Sequence, residues 1–429
     1  MDKLKILEWY SRKDVQNNIL KIAKNREVVS VFKDGNFGKR PDMISYPSDI
    51  INAVENGAVS FHCSVERWSN PMKLEPGMTK ENLDELRIGW DVLIDPDVND
   101  FEIAKISVKQ IIEAFKDFGI RNYYIKFTGG KGFHIAIPFE SLPKKVNLKP
   151  TSKQYPELLE KIIGFLKWYL EDLMREALLE IGTTNEIANR INKKVEEVLT
   201  NGKLDPFKVV NLDVFGSRHL FRMPFALNEK TFLVSLPISE KDIDKFEKED
   251  AKVENVKIKE SFLVKGIEGE AEALIIEALD WATRYKRVEK IISELPSLPR
   301  KKVRKIPEQF FPPCIKRILE GMNDGRKRSV FILINFLRNV GWNNEDIEKK
   351  IYEWNEKNYP PLRESYIRTQ LRWHFRQKRN LLPPNCDNPI FYEDMGLKDK
   401  CEECRKKGEV KNPINYPFLL LKRFKKKSY

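Results

Sequence analysis

The stretch from Gly89 to Asp100, GWDVLIDPDVND, constrains the fold of this chain more than any other. An apolar run with the composition of a buried strand ends at Pro96, and it is accompanied by Asp91, Asp95 and Asp97. Because successive side chains of a strand alternate between its two faces, these odd-numbered positions are predicted to share one face. Clustered carboxylates at a strand end suit hard divalent cations such as Mg²⁺, which prefer oxygen ligands and leave positions open for phosphate. A turn with solvated acids is the alternative interpretation, since Asp is a common turn former.

The composition describes a soluble chain of several domains with a polyanionic partner. At 429 residues the chain is too long for one ordinary core, and it has no apolar run of about 18 residues that could span a bilayer. Its N-terminus is charged throughout and lacks a signal-peptide core, so a cytoplasmic location and no membrane partner are predicted. A net charge of +13 attracts phosphate backbones, and the abundance of Lys, Glu and Ile is typical of a thermophilic prokaryote.

A glycine-rich turn follows the next predicted strand. The segment TGGKGFHIAIP places Thr128, Lys131 and His134 between a strand at Asn122–Phe127 and a strand at Phe133–Pro138. Glycines let the backbone approach a ligand closely, and Lys131 and His134 can donate to triphosphate oxygens. The spacing excludes a Walker A loop, whereas an ordinary glycine-rich hairpin stays an alternative.

A third segment, Val209–Ser239, adds another acid and several cations. Asp213 ends an apolar strand-like run, as Asp95 does, and a third carboxylate is what a two-metal site needs. Cations for nucleotide phosphates follow at Arg218, His219, Arg222 and Lys230. Any one of them could be a solvated surface charge, but a strand-end aspartate followed by four cations in one loop and hairpin favours a nucleotide site.

A Pro- and Lys-rich linker, LPSLPRKKVRKIPEQFFPP, precedes a second domain that is predicted to be helical. Within it, a basic helix interleaved with aromatic residues covers Arg363–Arg379. Aromatic faces stack on unpaired bases while Arg and Lys hold phosphates, so single-stranded nucleic acid is the predicted ligand. The candidate nucleic-acid contacts are Arg326, Tyr366, Arg368, Arg372 and His374.

Four of the five cysteines lie in this C-terminal part: Cys314, Cys386, Cys401 and Cys404. Disulfides are rare in the cytosol, and the last two residues form a CxxC pair, so a metal site is favoured over inert buried thiols. Four thiolates can hold Zn²⁺ or an iron–sulfur cluster, and thiolate chemistry alone does not separate the two.

The acidic stretch and the glycine-rich turn resemble motifs of the small catalytic subunit of archaeal and eukaryotic DNA primases. VLIDPD resembles that family's acidic metal-binding motif, which implies Asp95 and Asp97 as ligands and leaves Asp91 without a role. TGGKGFH resembles the family's Ser-Gly-Arg-Arg-Gly-x-His motif, with Gly130 in place of an arginine. This second match implies that the threonine, lysine and histidine of the turn hold the triphosphate of the incoming nucleotide.

The third segment, NLDVFGSRHLFRMPFALNEKTFLVSLPI, resembles the third motif of the same family. The match implies Asp213 as the last metal ligand and Arg222 and Lys230 as phosphate contacts, and His219 matches a motif histidine. Asn228 departs from the family, where histidine is usual. The implied fold is an α+β catalytic domain of the archaeo-eukaryotic primase type around an antiparallel sheet, with Mg²⁺ or Mn²⁺ as the cofactor.

The C-terminal segment resembles the iron–sulfur domain of the primase large subunit, from PPCIKRILEGMNDGRKRSVFILINFLRNVGW through PPNCDNPIFY and CEEC to NPINYP. This resemblance selects a 4Fe-4S cluster over zinc and implies an all-α domain that grips template, initiating nucleotide and nascent primer. The predicted division is a catalytic domain at 1–245, a helical connector and linker at 246–304, and the iron–sulfur domain at 305–429. The whole resembles a single-chain archaeal primase that does not require a separate primase subunit.

The sequence therefore predicts a DNA primase that joins nucleoside triphosphates de novo on single-stranded DNA by two-metal transfer, making RNA or DNA primers. A replicative polymerase or helicase is a further candidate partner. Two alternatives stay open: a repair or lesion-bypass polymerase that only extends existing primers, and a non-catalytic iron–sulfur protein that binds nucleic acid. Initiation on an unprimed template tests the first, and metal-dependent nucleotide binding tests the second.

Overall fold

The chain forms two compact units, residues 1–290 and residues 291–429, in a computed structural model. The structure describes residues 2–294, 304–376, 381–397, 399 and 410–427. Residues 246–290, predicted as part of a connector, lie in the first unit. No described helix is long and apolar enough to cross a bilayer.

The first unit combines helices with small antiparallel sheets. Its helices are α1 Lys3–Ser11, α2 Lys13–Ala23, α3 Pro47–Glu55, α4 Lys80–Leu86, α5 Phe101–Asp117, α6 Glu157–Glu180, α7 Thr184–Arg190, α8 Pro206–Val209 and α9 Glu272–Glu294, the last of which begins in this unit. Its strands are β1 Val28–Phe32, β2 Ala58–Ser64, β3 Glu66–Trp68, β4 Arg87–Trp90, β5 Val92–Ile94, β6 Pro96–Asp97, β7 Tyr124–Phe127, β8 Phe133–Ile137, β9 Lys145–Val146, β10 Lys149–Pro150, β11 Leu199–Thr200, β12 Lys203–Leu204, β13 Asn211–Leu212, β14 Leu220–Arg222 and β15 Pro237–Ile238. This mixed α/β architecture agrees with the predicted fold class of the N-terminal part.

Two sheets carry the segments that the sequence singles out. The larger has the order β15-β7-β8-β5, and every neighbouring pair in it is antiparallel. All residues of β5 and β8 are buried, which explains why these strands are apolar at successive positions instead of alternating. The second sheet has the order β1-β2-β14, again antiparallel.

Helix α5 follows the acidic stretch and packs against β8 and α6. It begins after Asp100, whose side chain accepts a hydrogen bond from the backbone N–H of Ile103 at 2.9 Å. That cap satisfies one of the N–H groups that the first turn of a helix leaves unpaired. The position of α5 is therefore fixed by the residue that closes the acidic stretch.

The acidic stretch is not one strand. It is divided into β4, β5 and β6, with breaks at Asp91 and Asp95, so the regular alternation of faces along one strand does not extend across the three aspartates. Asp91 is fully buried and pairs with Arg26 and, at 2.6 Å, with Arg67. It also accepts a hydrogen bond from the backbone N–H of Phe139 at 2.9 Å. The structure thus gives this carboxylate a role in holding the fold.

The N-terminal residues form two helices and not one continuous helix. The backbone of Arg12 is extended (φ −66°, ψ 124°), which ends α1 and starts α2. The break lets Trp9 and Tyr10 on α1 and Ile19 on α2 all reach the buried core.

The second unit is built from helices, and its described residues include no strand. The helices are α10 Pro313–Leu319, α11 Arg326–Asn339, α12 Asn344–Asn355, α13 Glu364–Arg376 and α14 Asn415–Lys427. Their apolar faces form a separate core that includes Ile315, Leu333, Phe336, Ile351 and Leu371.

Candidate active site

A cleft of about 250 Å³ lies where β5 ends and the β7–β8 turn begins. The β5–β8 ladder ends at the pair Ile94 and Ile135, and the side chains of the residues just beyond it, Asp95 and His134, lie side by side. The β7–β8 hairpin brings the glycine-rich turn to the same end of the sheet. The residues that line the cleft are Asp95, Pro96, Asp97, Val98, Thr128, Gly130, Lys131, Gly132, His134 and Arg222. Residues from all three segments therefore converge here.

Asp95 and His134 form the centre of the cleft. Their Oδ2 and Nε2 atoms are 3.4 Å apart, and the Asp95 side chain is 35% exposed. Burial would raise the pKa of Asp95, but the nearby His134, Lys126 and His219 bring it below its usual value. Burial lowers the pKa of His134 to about 4, so the ring is neutral at pH 7. A carboxylate thus faces a neutral imidazole whose buried Nδ1 has no hydrogen-bond partner among the described residues.

The glycine-rich turn is held tightly. Gly129 has a φ of +78°, and a Cβ atom there would lie 2.8 Å from the carbonyl oxygen of Leu233, so only glycine fits. The Thr128 hydroxyl donates to the carbonyl of Gly132 at 3.0 Å, so it closes the turn. Lys131 stays exposed, and its Nζ donates to Asn99 Oδ1 at 2.6 Å. The turn therefore presents an exposed lysine ammonium at the mouth of the cleft.

Arg222 reaches the cleft from the second sheet. Its Nη1 donates to the carbonyl oxygen of Thr128 at 3.0 Å, and its Nη2 pairs with Glu229 at 2.6 Å. The guanidinium is thus fixed by the backbone of the glycine-rich turn and by one carboxylate. Its Nε also donates to Ser60 Oγ at 3.3 Å, so the N–H groups that remain on Nη1 and Nη2 are those that a phosphate could contact.

The third predicted acid, Asp213, directly follows the strand that pairs with β6. Strand β13 pairs with β6 so that Asn211 is opposite Asp97, and continuing this register by one residue sets Asp213 opposite Asp95. The Asp213 side chain is exposed and accepts from Asn211 Nδ2 at 2.6 Å. Within the described part of the chain, no three His, Cys, Asp or Glu side chains are close enough as they stand to hold a metal ion.

His219 is close enough to Asp95 for their charges to interact. Its ring stacks on Phe215 with a centroid distance of 3.9 Å. Burial lowers the pKa of His219, although the Asp95 charge opposes this shift. The residue thus borders the acidic centre, and its contact with a nucleotide stays a prediction.

Arg218 and Lys230, both predicted as nucleotide contacts, do not line the cleft. The Arg218 guanidinium pairs with the buried Glu27 at 3.0 Å and donates to the carbonyl of Glu75 at 2.9 Å. Lys230 is exposed on a turn in which Asn228 Oδ1 accepts from the Lys230 backbone N–H at 2.9 Å. The cation of Arg218 is already used by the ion pairs of the fold, and sequence spacing cannot show that.

These two arginines allow a matched test. If the cleft binds a nucleoside triphosphate, as the sequence predicts, Arg222→Gln is expected to raise the KM for it about tenfold or more, because the substitution removes a cation from the cleft. We expect Arg218→Gln to leave KM within about twofold and to lower the urea midpoint of unfolding, because it leaves Glu27 with one partner fewer. Steady-state incorporation kinetics and urea titration measure both quantities. A larger KM change for Arg218→Gln than for Arg222→Gln would contradict the assignment.

Several residues near the cleft are absent from the sequence predictions. Glu229 pairs with Arg222, Asn99 pairs with Lys131, and Lys126 is fully buried in β7. Lys126 does have a sequence signal, because it is a single charge in an apolar strand, YYIKF. The other two are ordinary surface types whose role depends on partners distant in sequence.

A larger cavity of about 760 Å³ lies elsewhere in the first unit. It is lined by Lys5, Glu8, Trp9, Arg12, Thr231, Phe232, Leu233, Lys252, Val253 and Glu254. None of the candidate catalytic residues faces it. Size therefore does not identify the site, and the convergence of reactive groups does.

The candidate nucleic-acid residues of the second unit divide into two groups. Arg326, Tyr366, Arg368 and Arg372 are partly exposed on α11 and α13, and Lys327 Nζ lies 5.3 Å from the Tyr366 ring. His374 is fully buried beside Phe331 and Trp373, and burial lowers its pKa to about 3. His374 is therefore a core residue, because it faces inward with Ile367 and Leu371 on the apolar side of α13.

The cysteines are only partly described. Cys314 is buried in the main core of the second unit, and Cys386 is buried against Val410 and Tyr416. Cys401 and Cys404 lie outside the described residues. The ligand set of a cluster stays a prediction.

No family model matches this sequence. Over 149 residues the chain is 29% identical to the DNA primase small subunit PriS of Pyrobaculum calidifontis, covering 34% of this chain and 45% of that protein. It is 30% identical over 150 residues to PriS of Pyrobaculum aerophilum, with the same two coverages. It is also 27% identical over 190 residues to an uncharacterized protein of Methanocaldococcus jannaschii, covering 44% of this chain and 39% of that one. The chain therefore matches less than half the length of each of these relatives, and its similarity to archaeal primase small subunits is weak.

Two solved structures also align with the chain. One is the polymerase domain from Mycobacterium tuberculosis ligase D in complex with DNA, with a TM-score of 0.33, 14% identity, and coverage of 68% of this chain and 93% of that chain. The other is primase RepB′, with a TM-score of 0.27, 12% identity, and coverage of 85% and 95%. Both TM-scores are below 0.5, so neither alignment establishes a shared fold or a shared function.

Proposed function

We propose that this protein is a primase-type nucleotidyltransferase that joins nucleoside triphosphates on a single-stranded DNA template and starts strands de novo. The observation that carries the proposal is one cleft that gathers Asp95, Asp97, Lys131, His134 and Arg222 from three separate segments of the sequence. Anionic carboxylates beside fixed cations are what phosphoryl transfer requires, since its catalysis is mostly positioning and charge stabilisation. The weak similarity to PriS proteins supports the same reaction class.

The acidic groups fit Mg²⁺ or Mn²⁺ by their chemistry. Asp95 is ionised and faces the cleft. Asp97 is exposed two residues further along the chain, and both side chains offer hard oxygen donors. Asp213 would complete the set if its side chain turned from Asn211 toward Asp95. Bound metal would activate the attacking hydroxyl and neutralise charge on the triphosphate.

The remaining groups of the cleft hold the substrate. Lys131 and Arg222 supply cations for the phosphates, and the backbone of the glycine-rich turn lets them approach closely. His134 is neutral at pH 7, so it has one N–H to offer to Asp95 or to a phosphate oxygen. His219, whose charge interacts with that of Asp95, and the exposed Lys230 would meet the outer part of a bound nucleotide or template.

The second unit is proposed to assist initiation. Its partly exposed Arg326, Arg368 and Arg372, together with Tyr366, would contact single-stranded template or primer. A 4Fe-4S cluster held by Cys314, Cys386, Cys401 and Cys404 would stabilise this small helical unit by cross-linking segments that are distant in sequence. The burial of the first two cysteines agrees with such a role.

Synthesis on primed and unprimed templates tests the proposal. Full-length protein purified without oxygen is given labelled nucleotides, Mg²⁺ or Mn²⁺, and either a bare single strand or the same strand with a primer. New strands on the bare template are expected, and Cys386→Ser is expected to lose initiation while it keeps extension. Extension without initiation in the unaltered protein would favour a repair polymerase. No product on either template would favour a nucleic-acid-binding protein without catalysis.

A further inference from the structure

A fully buried lysine lies next to the cleft on the same sheet. Lys126 of β7 pairs directly with His134 of β8, and the His134 side chain in turn lies 3.4 Å from the Asp95 carboxylate, just beyond β5. Residues directly opposite one another in antiparallel strands project from the same face. Lys126, His134 and Asp95 therefore form a row of polar side chains, with the exposed end at Asp95 and the buried end at Lys126.

The surroundings of Lys126 satisfy an ammonium poorly. Its Nζ donates to Ser235 Oγ at 2.9 Å, and that hydroxyl donates onward to the carbonyl of Phe127 at 3.2 Å. The rings of Phe221 and Phe262 have their centroids 5.8 Å from Nζ on the other sides. An ammonium has three N–H donors, and one hydroxyl and two aromatic faces replace only part of its hydration.

The charged and titratable groups around Lys126 come from four strands. Arg222 of β14 repels it, as would a protonated His62 of β2 or His134 of β8, while Asp95 beyond β5 favours its charged form. Cys63 of β2 would favour it only as a thiolate, and burial raises the pKa of that thiol. Burial is the largest effect and lowers the pKa of Lys126 to about 7.

A second buried lysine shows what is missing at this position. Lys105 of α5 is also buried, but its Nζ pairs with Glu102 at 3.1 Å and with Glu247 at 3.4 Å. Lys126 has no carboxylate within ion-pair distance among the described residues. A change of charge in the cleft therefore changes the protonation of Lys126 more than that of an ion-paired lysine.

We propose that an anionic nucleoside triphosphate enters this cleft together with one proton, and that Lys126 takes up that proton as a positioning charge behind His134. The inference rests on the proposed function, because it assumes that the cleft receives a triphosphate. Negative charge beside Arg222 and Lys131 stabilises the ammonium form of Lys126, and by reciprocity the ammonium strengthens the binding of the anion. The proton comes from solvent and binds the neutral amine, so no other reactant is needed.

Lys126 is the group best placed to take up this proton near pH 8. Burial holds the pKa of His134 at about 4 and that of His62 well below its usual value. Protonating either ring at pH 8 would require a far larger shift than protonating Lys126, whose pKa is about 7. Proton uptake at this pH therefore reports on the lysine.

Calorimetry of ATP binding tests the inference. Full-length protein is titrated with ATP in EDTA at pH 8, in buffers with different enthalpies of ionisation, so that the buffer dependence of the heat gives the number of protons bound. ATP is fully ionised at this pH and contributes no proton itself. We expect uptake approaching one proton, and an affinity that weakens by about tenfold per pH unit above pH 7.5.

The variants separate positioning from structure. Lys126→Met is expected to abolish the uptake and to flatten the pH dependence of affinity, whereas Lys105→Met is expected to keep both. Zero uptake by the unaltered protein overturns the inference whether or not Lys126→Met folds, and so does uptake that persists in Lys126→Met. Absence of ATP binding also overturns it, while synthesis on primed template judges the proposed function separately.

Discussion

Replacing Asp95 with Asn is expected to lower nucleotide incorporation on a primed template by on the order of 10³-fold. The substitution keeps the size of the side chain and removes the one carboxylate that stands in the cleft beside His134. Because Asp95 is ionised at neutral pH, the change removes a full negative charge from the position where a divalent cation is proposed to bind. Single-turnover extension of a labelled primer measures the rate directly.

Two controls make the result specific to chemistry. DNA binding by fluorescence anisotropy and the thermal midpoint are expected to stay at the unaltered values, because Asp95 is partly exposed and carries no part of the core. Asp244→Asn removes an acid whose side chain is 70% exposed and is expected to keep full activity. Retention of more than about a tenth of the rate by Asp95→Asn would exclude Asp95 as an essential metal ligand.

Replacing Asp91 with Asn is expected to cost about 3–5 kcal/mol of the free energy of unfolding. The substitution leaves the buried Arg26 without its carboxylate partner and takes one of two carboxylates from Arg67. An uncompensated charge in the interior is costly because water cannot solvate it. Urea denaturation followed by tryptophan fluorescence measures the loss.

The matched control for this prediction is Glu140→Gln. Glu140 also pairs with Arg67, but its side chain is 50% exposed, so we expect a loss within about 1 kcal/mol. The pH dependence gives an independent check. Burial would raise the pKa of Asp91, but Arg26 and Arg67 bring it below the ordinary value of 3.8. The stability that Asp91 contributes is therefore fully present above about pH 4–5 and is lost as the pH falls further, so the difference between the two proteins should shrink in acid. Equal losses for both variants would refute the buried role of Asp91.

The sequence allows a prediction of those cleft residues whose placement depends on the local sequence pattern. The glycine-rich turn can be predicted from its glycines, and the structure shows why one of them is required: Gly129 has a positive φ and no room for a side chain. Asp95 and His134 come together because each lies at the end of an apolar strand, and adjacent antiparallel strands bring such ends side by side. Arg222 could be proposed from its place in the third segment, and the structure puts it at the cleft.

Residues of the same type differ in surroundings where their partners are far away in the chain. Arg218 and Arg222 are indistinguishable by spacing, yet Glu27, nearly 200 residues earlier, takes the first. His374 sits in a basic aromatic helix but faces the interior, because that helix packs with α11 and α12. Asp91 belongs to the acidic stretch by position and to the core by its two arginines.

The amino-acid sequence alone predicted the glycine-rich turn, the two strands that flank it and the candidate reactive side chains, because these follow from periodicity and backbone preference over a few residues. Only the tertiary structure decided which charges are free to act. Asp91, Arg218 and Lys126 differ from their neighbours in burial and in partners that folding brings from elsewhere in the chain. Burial removes the hydration that a charge has in water, so each buried charge must be paired, shifted in pKa or left ready to respond to a ligand, and contacts distant in sequence decide among these outcomes.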